Sequence, residues 1–398
     1  MRILVLTPTF LPAVGGAELA IYEIYRRLSA SHQVRIVTRE AGKEQSRGLN
    51  LGDVNIEVVR FQDKVTLKKR PRAQIRWGLV PPFSLSAVGA LLRTCRQFKP
   101  DVINAHYFVA TGLAAVLAQC LLGIPVVLSL VGRDVPGPAT PPLWRYYGRM
   151  IAGLAADVIY ISKYCRCALY GSPNGGKGQT IHYGADTSEF SPQVSSAGLR
   201  EKLGLRESAR VLFALQRLSR EKKVEVVIES MGYVAGEMND VVLIVGGEGP
   251  EKTRLKELSA RIGVSDRVIF AGFIPQEELP HYYSLADLFV FHSLYETFGI
   301  VLAQALASGT PVVSVNCTAI PELVEDGVNG ILVPPNESRQ LASGIVRLLK
   351  DAALRETYGK RAREKALAMF NWDTIAQHYE KVLQNAVSAL GLPRGAIR

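Results

Sequence analysis

Residues 286–333 constrain the fold of this 398-residue chain more than any other stretch. They begin with the apolar run Leu288 to Phe291, which has the length of a buried parallel strand. A helix of small and branched residues is predicted from Gly299 to Ser308, and Gly309 is predicted to end it. A second apolar strand starts at Pro311. This order of strand, loop, helix and strand is the repeating unit of a parallel α/β sheet.

The loop of this unit, His292 to Phe298, follows the carboxyl end of a strand, where open α/β sheets bind ligands. It carries one carboxylate, Glu296, and leads to the backbone N–H groups of Gly299 and Ile300 at a helix N-terminus. Helix N-termini attract phosphate because their first N–H groups have no partner within the helix. The loop therefore predicts a site for a phosphorylated ligand.

The residues around this loop resemble the donor-site signature of family 4 of the retaining glycosyltransferases (GT4). The matching positions are Glu296, Phe298, Gly299 and the runs 307–313 and 321–333. The resemblance implies an α/β chain with the GT-B fold, in which two Rossmann-like, doubly wound domains face each other across a cleft. A βαβ unit with a chance glutamate is the alternative, and the rest of the chain decides between the two.

The same resemblance divides the chain into three parts. Residues 1–192 would form an N-terminal, acceptor-binding Rossmann-like domain, and residues 193–370 would form a C-terminal domain that binds the nucleotide sugar. Residues 371–398 would form a helix that packs back on the N-terminal domain. Pro, Ser and Gly are enriched from Ser191 to Gly198, as at a domain boundary.

By this resemblance, four residues have catalytic roles. Arg217 and Lys222 would bind the diphosphate and stabilise its charge as it leaves. Glu296 would hold sugar hydroxyls, and His106, at the end of a predicted strand, would orient the donor sugar. The other donor-binding positions would be Gly15, Gly16, Phe273, Phe298, Gly299, Ile300 and Gln304, and the acceptor side would contain Glu18, Arg133 and Asp134.

Several positions depart from the family pattern. Gln304 stands where the family has a second glutamate, so it keeps an acceptor oxygen for the ribose but loses the charge. Val131 replaces a histidine, and Gln216 replaces a glycine before Arg217. Residues 318–319, Thr and Ala, replace a glycine pair and are expected to narrow the space around the donor.

The resemblance implies transfer of a hexose from a nucleotide-diphosphate sugar to a hydroxyl of a glycan or lipid-linked glycan. Attack would come from the front face with retention of anomeric configuration, and neither a cofactor nor a metal ion would be required; no D-x-D triplet is present. Two other functions stay open. The departures favour a nucleotide-sugar-binding pseudoenzyme or partner subunit, and a GT-B nucleotide-sugar epimerase is the third candidate. Glu296, Arg217 and Lys222 match the transferases rather than either alternative.

The charge of the chain is concentrated in its first half. Residues 1–190 contain 23 Lys and Arg against 12 Asp and Glu, whereas residues 191–398 contain 24 of each. An anionic partner for the first half is therefore expected, and the basic segment Lys64 to Arg76 is either a solvated loop or a contact for anionic lipid head groups. We predict no nucleic-acid partner because no recognition motif is present.

Composition also indicates the compartment. The five cysteines form no C-x-x-C pair, and an odd, scattered set is typical of reduced thiols in a cytosolic protein. The first ten residues predict a strand rather than a signal peptide. Residues 109–131 carry no charge, but Gly123 and Pro125 divide them into a helix and a strand. We therefore predict a cytoplasmic protein without a membrane-spanning helix, peripheral on the membrane if the basic segment binds lipid.

Overall fold

A computed structural model describes residues 1–11, 15–40, 55–61, 83–132, 135, 137, 140 and 142–389. The chain forms two compact units. Unit 1 comprises Met1–Tyr183 and Asp373–Arg398, and unit 2 comprises Gly184–Trp372. The boundaries predicted from the sequence follow residues 192 and 370, whereas the units divide after residues 183 and 372.

Unit 1 is built on a parallel sheet that contains seven strands among the described residues, in the order β3-β2-β1-β4-β5-β6-β7. The strands are β1 Arg2–Thr7, β2 Gln33–Arg39, β3 Ile56–Phe61, β4 Val102–His106, β5 Val126–Leu130, β6 Asp157–Tyr160 and β7 Gln179–Thr180. Every residue of β4 and of β5 is buried. Such continuous burial explains why β5 is largely apolar, whereas β4 buries two polar residues, Asn104 and His106.

Helices connect the strands of unit 1. They are α1 Gly16–Leu28, α2 Phe83–Phe98, α3 Leu113–Leu122, α4 Pro142–Leu154 and α5 Lys163–Tyr170, with one π turn at Phe108–Gly112. The uncharged stretch 109–131 is thus divided between the π turn, α3 and β5, as predicted, with Gly123 in the left-handed conformation that ends α3. Within the described part of the chain, no helix is long and apolar enough to cross a bilayer.

Unit 2 is built on a second parallel sheet with six strands among the described residues, in the order β10-β9-β8-β11-β12-β13. The strands are β8 Arg210–Leu215, β9 Val241–Gly246, β10 Val268–Gly272, β11 Leu288–Phe291, β12 Val312–Val315 and β13 Gly330–Val333. The helices are α6 Ala197–Lys202, α7 Val224–Glu237, α8 Lys252–Arg261, α9 Leu279–Leu285, α10 Ile300–Ala307, α11 Ile320–Leu323, α12 Ser338–Lys350 and α13 Ala352–Met369. The chain changes direction across the sheet between β8 and β11, which are hydrogen-bonded neighbours.

The last helix, α14 Trp372–Ala389, packs on unit 1. Asp373 near its start accepts a hydrogen bond from Arg27 of α1, and Glu380 lies 2.9 Å from Nε2 of His32. Tyr379 and Leu383 of this helix are fully buried. The predicted α/β class, its two Rossmann-like parts and the return of the last helix to the first part are confirmed.

A close helix contact in unit 2 depends on Gly359. A Cβ at this position of α13 would lie 2.5 Å from the backbone oxygen of Gly309, at the end of α10. Backbone cannot move aside as a side chain can, so α13 must retreat if the Cβ is added. Gly236, in α7, has no atom within 4 Å of its own Cβ position and is therefore a matched control.

We expect Gly359→Ala to destabilise the protein by roughly 1–3 kcal/mol through overpacking. Gly236→Ala should stabilise it by about 0.5–1 kcal/mol, because alanine has the higher helix propensity. Urea unfolding of both variants and of the unmodified protein measures the difference. Equal changes in the free energy of unfolding in the two variants would show that the α10–α13 contact does not limit stability.

Candidate functional site

Two loops flank the point where the sheet of unit 2 changes direction. One follows β8 and runs from Gln216 to Lys223, and the other follows β11 and runs from His292 to Phe298. In open parallel sheets the crevice for a ligand lies at the carboxyl ends of the strands at such a point. The predicted diphosphate-binding and sugar-binding residues of unit 2 are therefore brought to the expected edge by the strand order alone.

An ion pair joins the two loops. Lys222 Nζ donates a hydrogen bond to Glu296 Oε1, and the two side chains are 23% and 15% exposed. Partial burial strengthens such a pair relative to a surface ion pair. The structure thus brings together the predicted phosphate ligand and the predicted sugar ligand, which are far apart in the sequence.

Residues 318–319 also hold the Glu296 loop, through two hydrogen bonds. The N–H of Glu296 donates to Thr318 Oγ1 (3.1 Å), and the N–H of Ala319 donates to the carbonyl oxygen of Glu296 (3.3 Å). Thr318 has φ of +53°, a left-handed conformation that glycine adopts more easily. Ala319 is fully buried in the interior of the unit. The hydroxyl of Thr318 therefore anchors the carboxylate loop, and Ala319 adds a backbone hydrogen bond to the same loop.

Helix α10 begins beside this loop. Gly299, its first flanking residue, has φ of +95° and ψ of +72°, and no side chain caps the helix. The preceding Phe298 is 2% exposed and contacts the ring of Phe370 with centroids 5.7 Å apart. Packing of Phe298 and the turn at Gly299 thus fix the direction of the helix N-terminus, at the position of Ile300.

Gln304 lies on the interior side of α10. It is 3% exposed, and its Oε1 is 3.1 Å from the hydroxyl of Tyr283, which also lies 3.0 Å from the carbonyl oxygen of Val301. The oxygen that the sequence assigns to a ribose hydroxyl thus already has a protein partner. Two other donor positions are open to solvent: the Arg217 side chain is exposed, and the Phe273 ring, just after β10, is 66% exposed.

Three buried polar residues lie within the two loops, and sequence reasoning missed them as a group. Gln216 directly follows β8 and His292 directly follows β11, and these two strands pair through Leu212 with Leu288 and through Phe213 with Phe289. Among the described residues, neither amide atom of Gln216 has a hydrogen-bond partner, nor does the hydroxyl of Ser219. The one signal in the sequence was Gln216, a large polar residue at a family glycine.

His292 completes this buried group. Its Nε2 accepts the backbone N–H of Asn336 (3.2 Å), so the neutral ring carries its proton on Nδ1, which has no partner in the described structure. Burial lowers the pKa of His292 to about 4. Unpaired buried polar groups are costly and concentrate at functional sites, so this group marks the β8–β11 edge as a site rather than a plain core.

In unit 1 the predicted Gly15, Gly16 and Glu18 form the start of α1. Glu18 accepts a hydrogen bond from the hydroxyl of Thr9, and its carboxylate folds back over Gly15, where a Cβ would overlap Glu18 Oε2. Gly15 itself is extended, with φ of −154°. A larger residue at position 15 would therefore require the Glu18 carboxylate to shift.

His106 is enclosed by unit 1. It has no exposed surface, and its Nε2 lies 3.3 Å from the hydroxyl of Tyr25, which donates to Asn104 Oδ1. Burial lowers the pKa of His106 to about 3, so the ring is neutral at physiological pH. Val131, at the other departure from the family pattern, is also buried. The predicted acceptor-side residues Arg133 and Asp134 lie outside the described residues.

The chain matches two family models. Residues 196–365 match the model described as glycosyl transferases group 1, and residues 15–173 match the glycosyl transferase 4-like domain. Together the two matches include both loops of unit 2 and the start of α1.

Individual proteins agree with these models. An alpha-D-kanosaminyltransferase from Streptomyces kanamyceticus is 34% identical over 77% of this chain and 84% of its own length. A D-inositol 3-phosphate glycosyltransferase from Kribbella flavida is 31% identical over 91% and 89%. The crystal structure of Anabaena Alr3699/HepE in complex with UDP is 25% identical, with a TM-score of 0.79, and covers 97% of this chain and all of that one. The same Anabaena protein has also been crystallised with UDP-glucose.

The buried His106 should make stability depend on pH. Its pKa is about 3 in the folded protein and about 6.5 when unfolded, so the unfolded state binds the extra proton. The stabilisation is complete above pH 6.5 and is lost as pH falls toward 3. At pH 5 we expect a loss of about 2 kcal/mol relative to pH 8, measured by urea unfolding.

His106→Asn should remove this part of the pH dependence. His378→Asn, which changes an exposed histidine of the same unit, is the control and should preserve it. An unchanged pH dependence in His106→Asn would contradict the burial of a neutral ring.

Proposed function

The chain belongs to the family-4-type glycosyltransferases, and on this basis we propose that it moves a hexose from a nucleotide-diphosphate sugar to a hydroxyl of a glycan or lipid-linked glycan with retention of configuration. The observation that carries the proposal is the Lys222–Glu296 pair at the point where the sheet of unit 2 changes direction. It combines a cation for phosphate with a carboxylate for sugar hydroxyls, the two chemical groups that a nucleotide sugar presents.

The donor diphosphate would bind to the cations of the β8 loop. Arg217 is exposed and offers a planar fork of N–H donors, whereas Lys222 is half-buried and already oriented by Glu296. The N-terminus of α10 at Ile300 would add backbone N–H donors. As the bond between the sugar and the phosphate breaks, negative charge grows on the diphosphate, and these fixed positive groups stabilise it.

Entry of the diphosphate would change the role of the ion pair. In the structure Lys222 neutralises Glu296, and a bound diphosphate would draw the same ammonium to its own oxygens. The carboxylate would then accept hydrogen bonds from the sugar, which takes over part of the lost interaction. Binding of the diphosphate would therefore free the Glu296 carboxylate to bind the sugar.

The chemical step needs no acid or base from the protein in this proposal. The acceptor hydroxyl attacks the anomeric carbon from the face that the diphosphate leaves, and the departing phosphate oxygen takes the proton. His106 cannot donate a proton near neutral pH because of its low pKa, so we assign it a positioning role through its contact with Tyr25 and not acid–base work. Arg217 and Lys222 supply the positive charge, so neither a metal ion nor a cofactor is required.

The nucleotide we favour is a UDP sugar. The supporting observation is that the Anabaena protein has been crystallised with both UDP and UDP-glucose. In this chain the exposed ring of Phe273 beside Gly272 offers a flat apolar surface for a base.

A binding protein without transfer activity is the second candidate. One observation favours it: Gln304, which stands at the position of the family's second glutamate, faces Tyr283 in the interior. A ribose hydroxyl bound there would have to displace or share that contact. The nucleotide would bind weakly whether the protein is a transferase or a binding protein. The two functions differ in whether an acceptor is modified.

We also propose that the protein works at the cytoplasmic face of a membrane, where lipid-linked acceptors are found. The basic segment Lys64 to Arg76, which lies outside the described residues, supports this by its charge. If replacement of Lys68, Lys69, Arg70 and Arg72 by Ala leaves binding to anionic vesicles unchanged, the segment has no such role.

We expect a UDP sugar to raise the apparent unfolding temperature with increasing concentration, and GDP and ADP sugars to act less or not at all. Lys222→Ala and Glu296→Ala should weaken donor binding by about tenfold to a hundredfold, because each removes a charge-assisted hydrogen bond. Lys350→Ala, which breaks the exposed pair of Lys350 with Glu237, is the matched control and should keep the full shift.

Absence of a shift with all three nucleotides, in a protein that unfolds cooperatively, would contradict donor binding. A shift without transfer to any offered acceptor would favour the pseudoenzyme. Once an acceptor is known, NMR of the new linkage in the presence of EDTA tests the mechanism: an inverted linkage, or loss of transfer with EDTA, would overturn it.

A further inference from the structure

Unit 1 exposes a line of large apolar side chains on each of two neighbouring helices. In α3 they recur at positions i and i+4, and in α4 at positions i, i+3, i+7 and i+11, so each set lies on one helix face. The buried residues of α4, such as Ile151, lie on the opposite face. The residues of this apolar stripe and their exposed fractions are Leu117 (40%), Leu121 (66%), Leu143 (63%), Tyr146 (70%), Met150 (43%) and Leu154 (51%).

The α4 line reaches α3 at its last turn. The side-chain amide of Gln119, in α3, donates a hydrogen bond to the carbonyl oxygen of Leu154 at the end of α4 (2.7 Å). Gly112 allows close approach to the same turn, since a Cβ there would lie 2.8 Å from Cγ2 of Ile151. The four residues of the α4 line, which share one helix face, therefore form the main part of the apolar stripe.

The charged residues of the four outer helices of unit 1 have one sign. Helices α2, α3, α4 and α5 contain no aspartate or glutamate anywhere in their sequences. Arg149, exposed on α4 next to Met150, lies with its guanidinium over the ring of Tyr170. The basic residues of the four helices are Arg93, Arg96, Arg145, Arg149, Lys163 and Arg166.

We propose that this surface docks unit 1 on a membrane leaflet that contains anionic lipid. Apolar and aromatic side chains enter the boundary between head groups and acyl chains, while basic residues attract the anionic head groups. The apolar stripe lies on convex helix faces, whereas the anchor residues of a protein partner fill pockets. A second copy of the chain would place positive surface against positive surface, which opposes association.

The inference deepens the proposed function, because it names the surface by which a transferase would reach a lipid-linked acceptor. It is independent of the segment Lys64 to Arg76, which is remote from α3 and α4 in the sequence. Docking is measured without donor or acceptor, so its failure can be distinguished from failure of transfer.

The test measures binding of the full chain to vesicles by co-sedimentation. Vesicles of phosphatidylcholine alone are compared with vesicles that also contain phosphatidylglycerol, at low and at high salt. The variant Met150→Ser/Leu154→Ser removes apolar area from the apolar stripe without changing charge. The control Leu367→Ser/Met369→Ser removes side chains of matched type and similar exposure (47% and 44%) from α13 of unit 2.

We expect binding to the anionic vesicles that weakens with salt, a loss of about tenfold in Met150→Ser/Leu154→Ser, and no loss in the control. Unchanged unfolding temperatures in both variants establish that they fold.

The inference is overturned if the unmodified protein ignores anionic vesicles, if it binds neutral vesicles equally well, or if the two variants lose binding equally. It is also overturned if only the replacement of Lys68, Lys69, Arg70 and Arg72 abolishes binding. A change of oligomeric state in Met150→Ser/Leu154→Ser, seen by sedimentation velocity without a change in vesicle binding, would identify the apolar stripe as a dimer interface instead.

Discussion

The site of unit 2 depends on the parallel pairing of β8 with β11. These strands are consecutive in the sheet but far apart in the chain, because β9 and β10 are added on one side before the chain returns to the other. Their pairing brings the loop that carries Lys222 against the loop that carries Glu296. Without that return, the cation and the carboxylate would lie at different parts of the sheet edge, and neither would be oriented by the other.

Buried polar atoms in the two loops make this arrangement unfavourable for the free energy of folding. Gln216, Ser219 and His292 bury polar atoms that have no hydrogen-bond partner in the described structure, and such atoms each oppose folding. The surrounding unit compensates through a large apolar core built from both strands and from helices α7 and α12. Polar groups retained at this cost, within the two functional loops themselves, are consistent with a site in which loop position matters more than local stability.

Unit 1 differs from unit 2 in the kinds of residue that it buries and exposes. Its sheet holds a buried polar group of Tyr25, Asn104 and His106, while its outer helices expose apolar and basic residues together. A protein surrounded only by water gains nothing from that outer surface, whereas the boundary of an anionic bilayer interacts favourably with both kinds of residue. The net charge of the chain, which lies entirely in its first half, supports the same view of how the two units divide their tasks.

The sequence by itself determined the strand–loop–helix units and the residues of the β8 and β11 loops, because turn glycines, apolar runs and helix ends are encoded in neighbouring residues. The return of the last helix was expected only from the family resemblance. It could not determine which polar side chains would be exposed. Gln304 faces Tyr283, and His106 faces Tyr25, a residue 81 positions earlier in the chain. The hydroxyl of Thr318 accepts a hydrogen bond from the amide of Glu296, 22 positions earlier in the chain. Burial and partnership of a polar group depend on residues that only the tertiary fold brings near, and that is the physical reason the tertiary structure alone decided them.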